Sequence, residues 1–178
     1  MLLVMKTKKL SFCAVMAALA TVLMLIGYFP YLTYAVPCIA SLAIMAVVIE
    51  LNKKSAFLTY LASLLPIFLF CEMESKLLYI CLVGFYPILK ALFEKLPSRI
   101  LEYLLKIVCL NVAVFLIYLA STFVFGISFD DMGQLGEYGA IVLIAAANIA
   151  FLAYDFCLTT MAQFYIIRIH KSVKKLLK

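Results

Sequence analysis

The chain of 178 residues has few of the side chains that a water-soluble protein of its length needs. Charged residues make up 13% of it, against roughly 25% in an average soluble domain. The apolar letters make up 68%, against roughly 45–50%. So little polar surface cannot cover a soluble domain of this size, and the same composition excludes a disordered chain. The sequence therefore predicts an integral membrane protein.

Residues that carry catalysis or bind metal are also scarce. His170 is the single histidine, and the six cysteines form no C-x-x-C pair. Structural zinc needs clustered Cys and His, and a Ser or Cys nucleophile needs a nearby base. The sequence contains no H-E-x-x-H, no Walker loop and no G-x-G-x-x-G. We therefore expect no enzymatic activity, no cofactor, no metal ion and no nucleic-acid partner.

Long apolar runs fill most of the chain. A membrane-spanning helix needs roughly 20 such residues, with a range of about 17–25. Six runs qualify, at residues 10–29, 31–49, 55–71, 77–93, 100–127 and 139–167. The connections between them are too short for a soluble domain. The sequence predicts an all-α polytopic membrane protein, with residues 1–178 forming a single domain of six transmembrane helices.

Basic residues sort to one side of this topology. Fourteen of the fifteen fall there: Lys6, Lys8, Lys9, Lys53, Lys54, Lys90, Lys95, Arg99, Lys106, Arg168, Lys171, Lys174, Lys175 and Lys178. The other side carries Lys76 with Glu72, Glu74, Asp130, Asp131 and Glu137. Because Lys and Arg collect in cytoplasmic loops, both termini are predicted to be cytoplasmic. The basic tail suits anionic headgroups, which makes membrane lipids one expected partner.

The sequence Gly84-Phe85-Tyr86-Pro87 interrupts the fourth predicted helix. Pro87 cannot donate a hydrogen bond to the carbonyl four residues earlier and clashes with it, so a kink is expected. Interrupted spans often border the binding cavities of transporters. A simple kink without function is an equally good interpretation, because membrane helices tolerate proline.

Polar residues form a stripe on the sixth predicted helix: Asn148, Asp155, Thr159 and Gln163. Asp155 lies near mid-membrane, where a charge costs roughly 2.5–3.5 kcal/mol on insertion scales. It must therefore face the protein interior, and the long stems of Lys90 and Lys106 could reach it. Two interpretations stay open: a contact to a substrate or an ion, and a structural tie between helices five and six.

Small residues share one face of the first predicted helix: Ser11, Ala14, Ala18 and Thr21. Small side chains allow another helix to approach closely and to gain van der Waals contact within the bilayer. Ala14 and Ala18, spaced as Ala-x-x-x-Ala, lie in the cytoplasmic half of the helix. They either pack within this protein or form a docking face for another membrane subunit.

The length, the six helices and the basic start leading into Leu10-Ser-Phe-Cys-Ala-Val-Met-Ala-Ala-Leu resemble the S components of energy-coupling factor (ECF) vitamin transporters. In that family an Ala-x-x-x-Ala motif on the first helix packs against a transmembrane coupling subunit, which binds two cytoplasmic ATPases. Ala14 and Ala18 match the motif in type, spacing and depth. The resemblance implies a multi-pass protein of the bacterial cytoplasmic membrane that captures a small, vitamin-like nutrient.

Under this resemblance, residue depth alone nominates the substrate-binding side chains. They are Tyr31, Tyr34, Tyr79, Tyr86, Tyr118, Thr122 and Asn148, with Asp155 as the floor of the pocket. Aromatic rings with a few polar groups are typical of a small-molecule pocket. The acidic outer side favours a neutral or cationic nutrient. Two other functions remain open: a non-transport scaffold in cell-envelope assembly, and a small cation-coupled carrier that uses Asp155.

Overall fold

A computed structural model of the chain consists of helices joined by short turns in the residues that it describes, which are 2–29, 31–125 and 139–177. In chain order the helices are α1 (Leu2–Leu25), α2 (Ala35–Glu50), α3 (Lys53–Phe70), α4 (Met73–Leu78), α5 (Tyr86–Phe93), α6 (Arg99–Phe125), α7 (Gly139–Arg168) and α8 (His170–Leu177). A 3₁₀ turn, Ile26–Tyr28, extends α1, and a π-helical segment, Tyr79–Val83, follows α4.

Five helical stretches in the described part of the chain are long and apolar enough to cross a membrane. They are Thr7–Tyr28, Lys53–Phe70, Met73–Phe93, Arg99–Ile117 and Ile144–Arg168. Large apolar side chains stay exposed along them, such as Leu65 at 69% and Phe156 at 74%. Such surfaces suit hydrocarbon and not water. The chain is therefore a helical multi-pass membrane protein, as its composition predicts.

Helix α2 is shorter than these five and lies at the centre of the fold. Its 16 residues rise about 24 Å, against roughly 30 Å for the hydrocarbon core. It contacts α1, α3, α5 and α7, and Ala40, Ala43 and Ala46 are each at most 4% exposed. These small residues let its neighbours approach from both sides. One buried cluster joins α2 to α1 and α3, and a second joins it to α6 and α7.

The interruption predicted in the fourth span is confirmed. Pro87 lies in the first turn of α5, where a missing N–H costs nothing. The N–H of Gly84 donates to Tyr79 O, five residues back, at 2.9 Å, which is π-helical geometry. A Cβ on Gly84 would lie 2.7 Å from that oxygen and 2.8 Å from Tyr60 Cε2. The close approach of these groups therefore requires glycine at this position.

The two ends of the helix bundle differ in charge. The basic end carries Lys53 and Lys54, Lys95 and the helix α8, while the acidic end carries Glu72 and Glu74. Helix α8 is absent from the sequence prediction; its His170 Nδ1 lies 3.0 Å from Oε1 of Glu50, whose side chain is 1% exposed. The predicted loop with Asp130, Asp131 and Glu137 lies outside the described residues, as do Lys178 and the end of the helix predicted to reach residue 127.

Candidate functional site

A cluster of charged side chains lies buried where α5, α6 and α7 meet. Asp155 on α7 is 7% exposed, Lys90 on α5 is 6% and Lys106 on α6 is 2%. Asp155 Oδ1 accepts hydrogen bonds from Lys90 Nζ and, at 2.6 Å, from the hydroxyl of Tyr86. Asp155 Oδ2 accepts from Lys106 Nζ at 2.8 Å. One carboxylate therefore holds three helices together.

Two glutamates complete this charge cluster. Glu94 Oε1 lies 3.0 Å from Lys90 Nζ, and Glu102 Oε1 lies 2.6 Å from Lys106 Nζ. Each glutamate is one helical turn from its lysine, so the two side chains meet on one helix face. Leaving a charge unpaired in a low-dielectric interior costs several kcal/mol. The pairing of each lysine with two carboxylates removes that cost, and it makes the cluster a tie between helices.

An apolar cavity of about 300 Å³ adjoins the cluster on the side of the acidic end. It is lined by Tyr34, Cys38, Leu78, Leu82, Val83, Leu110, Val114, Ile117, Ala147, Ala150, Phe151 and Tyr154. These residues come from α2 and the residue before it, the interrupted fourth span, α6 and α7. The interruption bears directly on the cavity, because Leu82 and Val83 belong to the π-helical segment. This volume is at the lower limit of small-molecule sites, which run from roughly 300 to 1,000 Å³.

Aromatic rings form the wall between the apolar cavity and the charge cluster. The centroids of Tyr86 and Phe151 are 4.8 Å apart in an edge-to-face arrangement, and Tyr154 lies 5.7 Å from Tyr86. The Tyr154 hydroxyl is 2.8 Å from Ser41 Oγ on α2. Packed rings of this kind are stiff and keep water out. The charges of the cluster are thus shielded from the cavity by apolar side chains.

Tyr34 stands at the edge of the apolar cavity nearest the acidic end. Its hydroxyl donates to Glu74 Oε2 at 2.8 Å and joins the start of α2 to α4. That hydrogen bond to a carboxylate, with partial burial, raises the pKa of the Tyr34 hydroxyl above its ordinary value. Ser75 Oγ donates to Thr33 O at 2.8 Å beside it. Two hydrogen bonds therefore connect the turn before α2 to α4.

A second cavity, of about 250 Å³, lies on the other side of the charge cluster, toward the basic end. Its polar lining residues are Lys90, Glu94, Thr159 and Gln163. Lys90 faces this cavity while its ammonium group holds Asp155. The cluster therefore separates an apolar cavity from a partly charged one.

The structure brings some of the predicted substrate residues together and leaves others apart. Tyr86 and Asp155 meet in the charge cluster, while Tyr34 lines the apolar cavity. Tyr79 is fully buried, with its hydroxyl 3.1 Å from Ser63 Oγ. Asp155 is not among the cavity residues, because its carboxylate is bound to the two lysines and Tyr86. Its position is that of the predicted structural tie.

The remaining predicted substrate residues lie farther from this arrangement. Tyr31 is 98% exposed, with φ of 72° in the turn before α2. Asn148 Nδ2 donates to Ile144 O at 2.8 Å, and Asn148 Oδ1 lies 3.5 Å from Asn111 Nδ2. The side chains of Tyr118 and Thr122 lie outside the described residues.

The small-residue face of α1 is exposed at the surface. Ala14 and Ala18 are both exposed, and Ala14 lines a groove of about 350 Å³ between α1 and α3. The groove is formed by Lys9, Leu10, Cys13, Ala14, Ser55, Leu58, Thr59 and Ala62. Ala17 and Ala20, on an adjacent face of α1, pack into the core. Within the described residues, the Ala14 and Ala18 positions are therefore not used for internal packing.

Several residues of the site do not stand out in the sequence. Tyr154 and Cys38 supply polar atoms to the apolar cavity, but nothing distinguishes their letters from the other tyrosines and cysteines. The one sequence signal for Tyr154 is its position directly before Asp155. The Leu, Val and Ala residues of the lining have no sequence signal, since such residues make up most of every span. Their selection depends on how the helices cross.

Comparison with known proteins leaves the site to be interpreted from its own geometry. No protein-family model, no curated protein and no solved structure matches this chain. In the part of the chain that the structure describes, no group of three His, Cys, Asp or Glu side chains has the arrangement needed to hold a metal ion.

Proposed function

We propose that this chain is the substrate-binding membrane subunit of an ECF-type transporter, which captures a small, vitamin-like nutrient for uptake driven by partner ATPases. The apolar cavity is the observation that carries the proposal. It lies among α2, the interrupted fourth span, α6 and α7, where the resemblance expects substrate. A scaffold for envelope assembly needs no such cavity, so the cavity favours a binding protein.

The proposed topology has six spans in the bacterial cytoplasmic membrane: the five long apolar helices and the shorter α2. Both termini lie in the cytoplasm. The crowding of lysines at the basic end supports this orientation through the positive-inside tendency. The acidic end then faces outward, and Tyr34 stands on the outer side of the apolar cavity. A nutrient would enter past the first outer turn, between Tyr34 and the start of α4.

The groove between α1 and α3 is the proposed docking face for the transmembrane coupling subunit. Ala14, with Ser55 and Ala62 across the groove, and the exposed Ala18 one turn farther along α1 leave room for a partner helix to approach closely. The groove and the apolar cavity lie on opposite sides of α2. One side of the fold would therefore bind the nutrient, and the other would bind the subunit that carries the two cytoplasmic ATPases.

The cation-coupled carrier is disfavoured by the charge cluster. A coupling cation needs a carboxylate that is free to bind it, but both oxygens of Asp155 already accept hydrogen bonds from lysines. A cation would have to displace an ammonium group and leave it buried and unpaired. Asp155 is better explained as a structural tie beneath the nutrient site.

Two bulky variants test the docking face. Ala14→Trp and Ala18→Trp should each prevent the coupling subunit and its ATPases from co-purifying from native membranes, because an indole fills the space that a partner helix needs. Native mass spectrometry in a gentle detergent should still detect a stoichiometric small molecule on both variants. Val15→Trp, on an exposed neighbouring position of α1, is the matched control and should retain the full assembly.

The proposal fails if the wild-type protein carries no small molecule and no ATPase subunits. Unchanged assembly of both alanine variants would remove the proposed docking face. A folded, ligand-free protein that instead co-purifies with envelope-assembly enzymes would support the scaffold.

A further inference from the structure

We propose that the apolar cavity accepts an uncharged, largely apolar molecule that carries a hydroxyl or N–H hydrogen-bond donor. The inference rests on the proposed function, since it names the chemical class of that substrate. The acidic outer side of the protein predicts a neutral or a cationic nutrient. The lining of the cavity restricts this prediction to a neutral one.

The charges around the cavity exclude an ionic ligand. Among the residues that the structure describes, no charged side chain lines the cavity. Of the described carboxylates around it, Asp155 is neutralised by Lys90 and Lys106, and Glu74 lies outside the lining, where it accepts a hydrogen bond from the Tyr34 hydroxyl. An anion or a cation entering the cavity would therefore lose its hydration without gaining a counter-ion, which is strongly unfavourable.

The hydrogen-bond directions in the cavity specify a donor on the ligand. Ser41 Oγ donates to Cys38 O at 2.7 Å, so the Ser41 proton is committed and the Tyr154 hydroxyl must donate to Ser41 Oγ. The Tyr34 hydroxyl donates to a carboxylate, which can only accept. The Cys38 thiol donates to Tyr34 O at 3.5 Å.

The three polar side chains in the described lining have therefore used their protons within the protein. Tyr34, Tyr154 and Cys38 can therefore act toward a ligand only as hydrogen-bond acceptors. A molecule with only acceptors would desolvate its own polar atoms and find no partner. A molecule with an O–H or N–H group would gain a hydrogen bond while its apolar body packs on Phe151 and the aliphatic lining.

The chain contains no tryptophan, so one introduced indole reports on a single position. Leu78→Trp places it at the cavity, where Leu78 is half-buried. Val112→Trp, from a residue 53% exposed on α6, is the lipid-facing control. Four probes of similar size quench tryptophan fluorescence through a nitroaromatic ring: 4-nitrobenzyl alcohol, 4-nitroanisole, 4-nitrobenzoate and 4-nitrobenzylammonium.

The alcohol should quench the Leu78→Trp protein saturably and bind at least about tenfold more tightly than either ion, equivalent to a difference of about 1.4 kcal/mol. It should also bind several-fold more tightly than 4-nitroanisole, which has no donor. Adding Tyr34→Phe and Tyr154→Phe should reduce the advantage of the alcohol over the anisole. Ala147→Leu, which fills the cavity, should abolish saturable quenching, whereas Ala146→Leu, on the exposed neighbour, should leave it unchanged.

Three results would overturn the proposal. One is binding of either ion as tightly as the alcohol, and another is equal binding of alcohol and anisole. The third is that no probe quenches the Leu78→Trp protein saturably, while brominated phospholipid quenches it as strongly as the Val112→Trp protein. That result would show that a lipid acyl chain occupies the cavity. If the protein binds the alcohol selectively but assembles with no ATPases, the proposed ligand class stands and the proposed transport function is wrong.

Discussion

At the scale of single residues, Asp155 is a buried acid whose carboxylate accepts hydrogen bonds from three side chains. Its carboxylate lies 7% exposed between two lysines and a tyrosine. A partnerless acid at that depth would be protonated or excluded from the bilayer. Lys90 and Lys106 are likewise tolerated in the interior because each lies between two carboxylates.

Asp155→Asn should destabilise the protein strongly. The change removes the anion between two buried lysines and leaves their charges unpaired on that side, which costs about 3–5 kcal/mol in comparable buried pairs. The measurement is thermal unfolding in detergent, followed by circular dichroism. Glu94→Gln is the matched control, because the Glu94 side chain is 46% exposed and should change stability by about 1 kcal/mol or less. Equal midpoints for Asp155→Asn and wild type would show that the pairing contributes nothing.

At the scale of elements, the interrupted fourth span shapes both the core and the apolar cavity. The π-helical segment inserts an extra residue between α4 and α5, which redirects Leu82 and Val83 toward the cavity. Tyr60 on α3 supports it by donating from its hydroxyl to Ile80 O at 2.7 Å, a carbonyl that the π geometry leaves accessible. Tyr60 also packs against the Tyr79 ring at 5.9 Å.

Gly84→Ala tests this element. The added methyl group would lie under 3 Å from a backbone oxygen and from the Tyr60 ring, and overpacking of this kind typically costs about 1–3 kcal/mol. Thermal unfolding should show a lowered midpoint. Gly27→Ala is the comparison: its methyl group would meet the Ser75 hydroxyl at 2.9 Å, a side-chain group that can move by giving up its hydrogen bond to Thr33 O, whereas a backbone oxygen cannot. A Gly84→Ala protein at least as stable as Gly27→Ala would contradict the requirement for glycine.

At the scale of the whole molecule, α2 lies between two packed halves of the fold. On one side, α1 and α3 present the small-residue groove at the surface. On the other side, the fourth span, α6 and α7 line the partly open apolar cavity and hold the charge cluster. Under the proposed function, a movement of the coupling subunit at the groove would reach the cavity through α2, whose alanines are buried against its neighbours.

The proposed orientation predicts the accessibility of both termini. Short peptide tags at residue 1 and after residue 178 should be protected from an impermeant protease in intact cells and cleaved in inverted vesicles, because the lysines hold the basic end in the cytoplasm. A tag inserted between Asp130 and Asp131 is the control and should be cleaved in intact cells. Cleavage of either terminal tag from outside would reverse or break the six-span topology.

The membrane character and the five long apolar helices were determined by the sequence itself, because hydrocarbon accepts only long apolar helices and every chain segment has its own hydropathy. The interruption at Gly84–Pro87 was also predicted from the sequence, because Pro87 starts a new helix more readily than it continues one. Only the tertiary structure shows which groups surround Asp155, since the reach of Lys90 and Lys106 depends on how α5, α6 and α7 cross. The apolar cavity was likewise decided there: its aliphatic lining uses the same residues that face lipid elsewhere, and only packing separates the two.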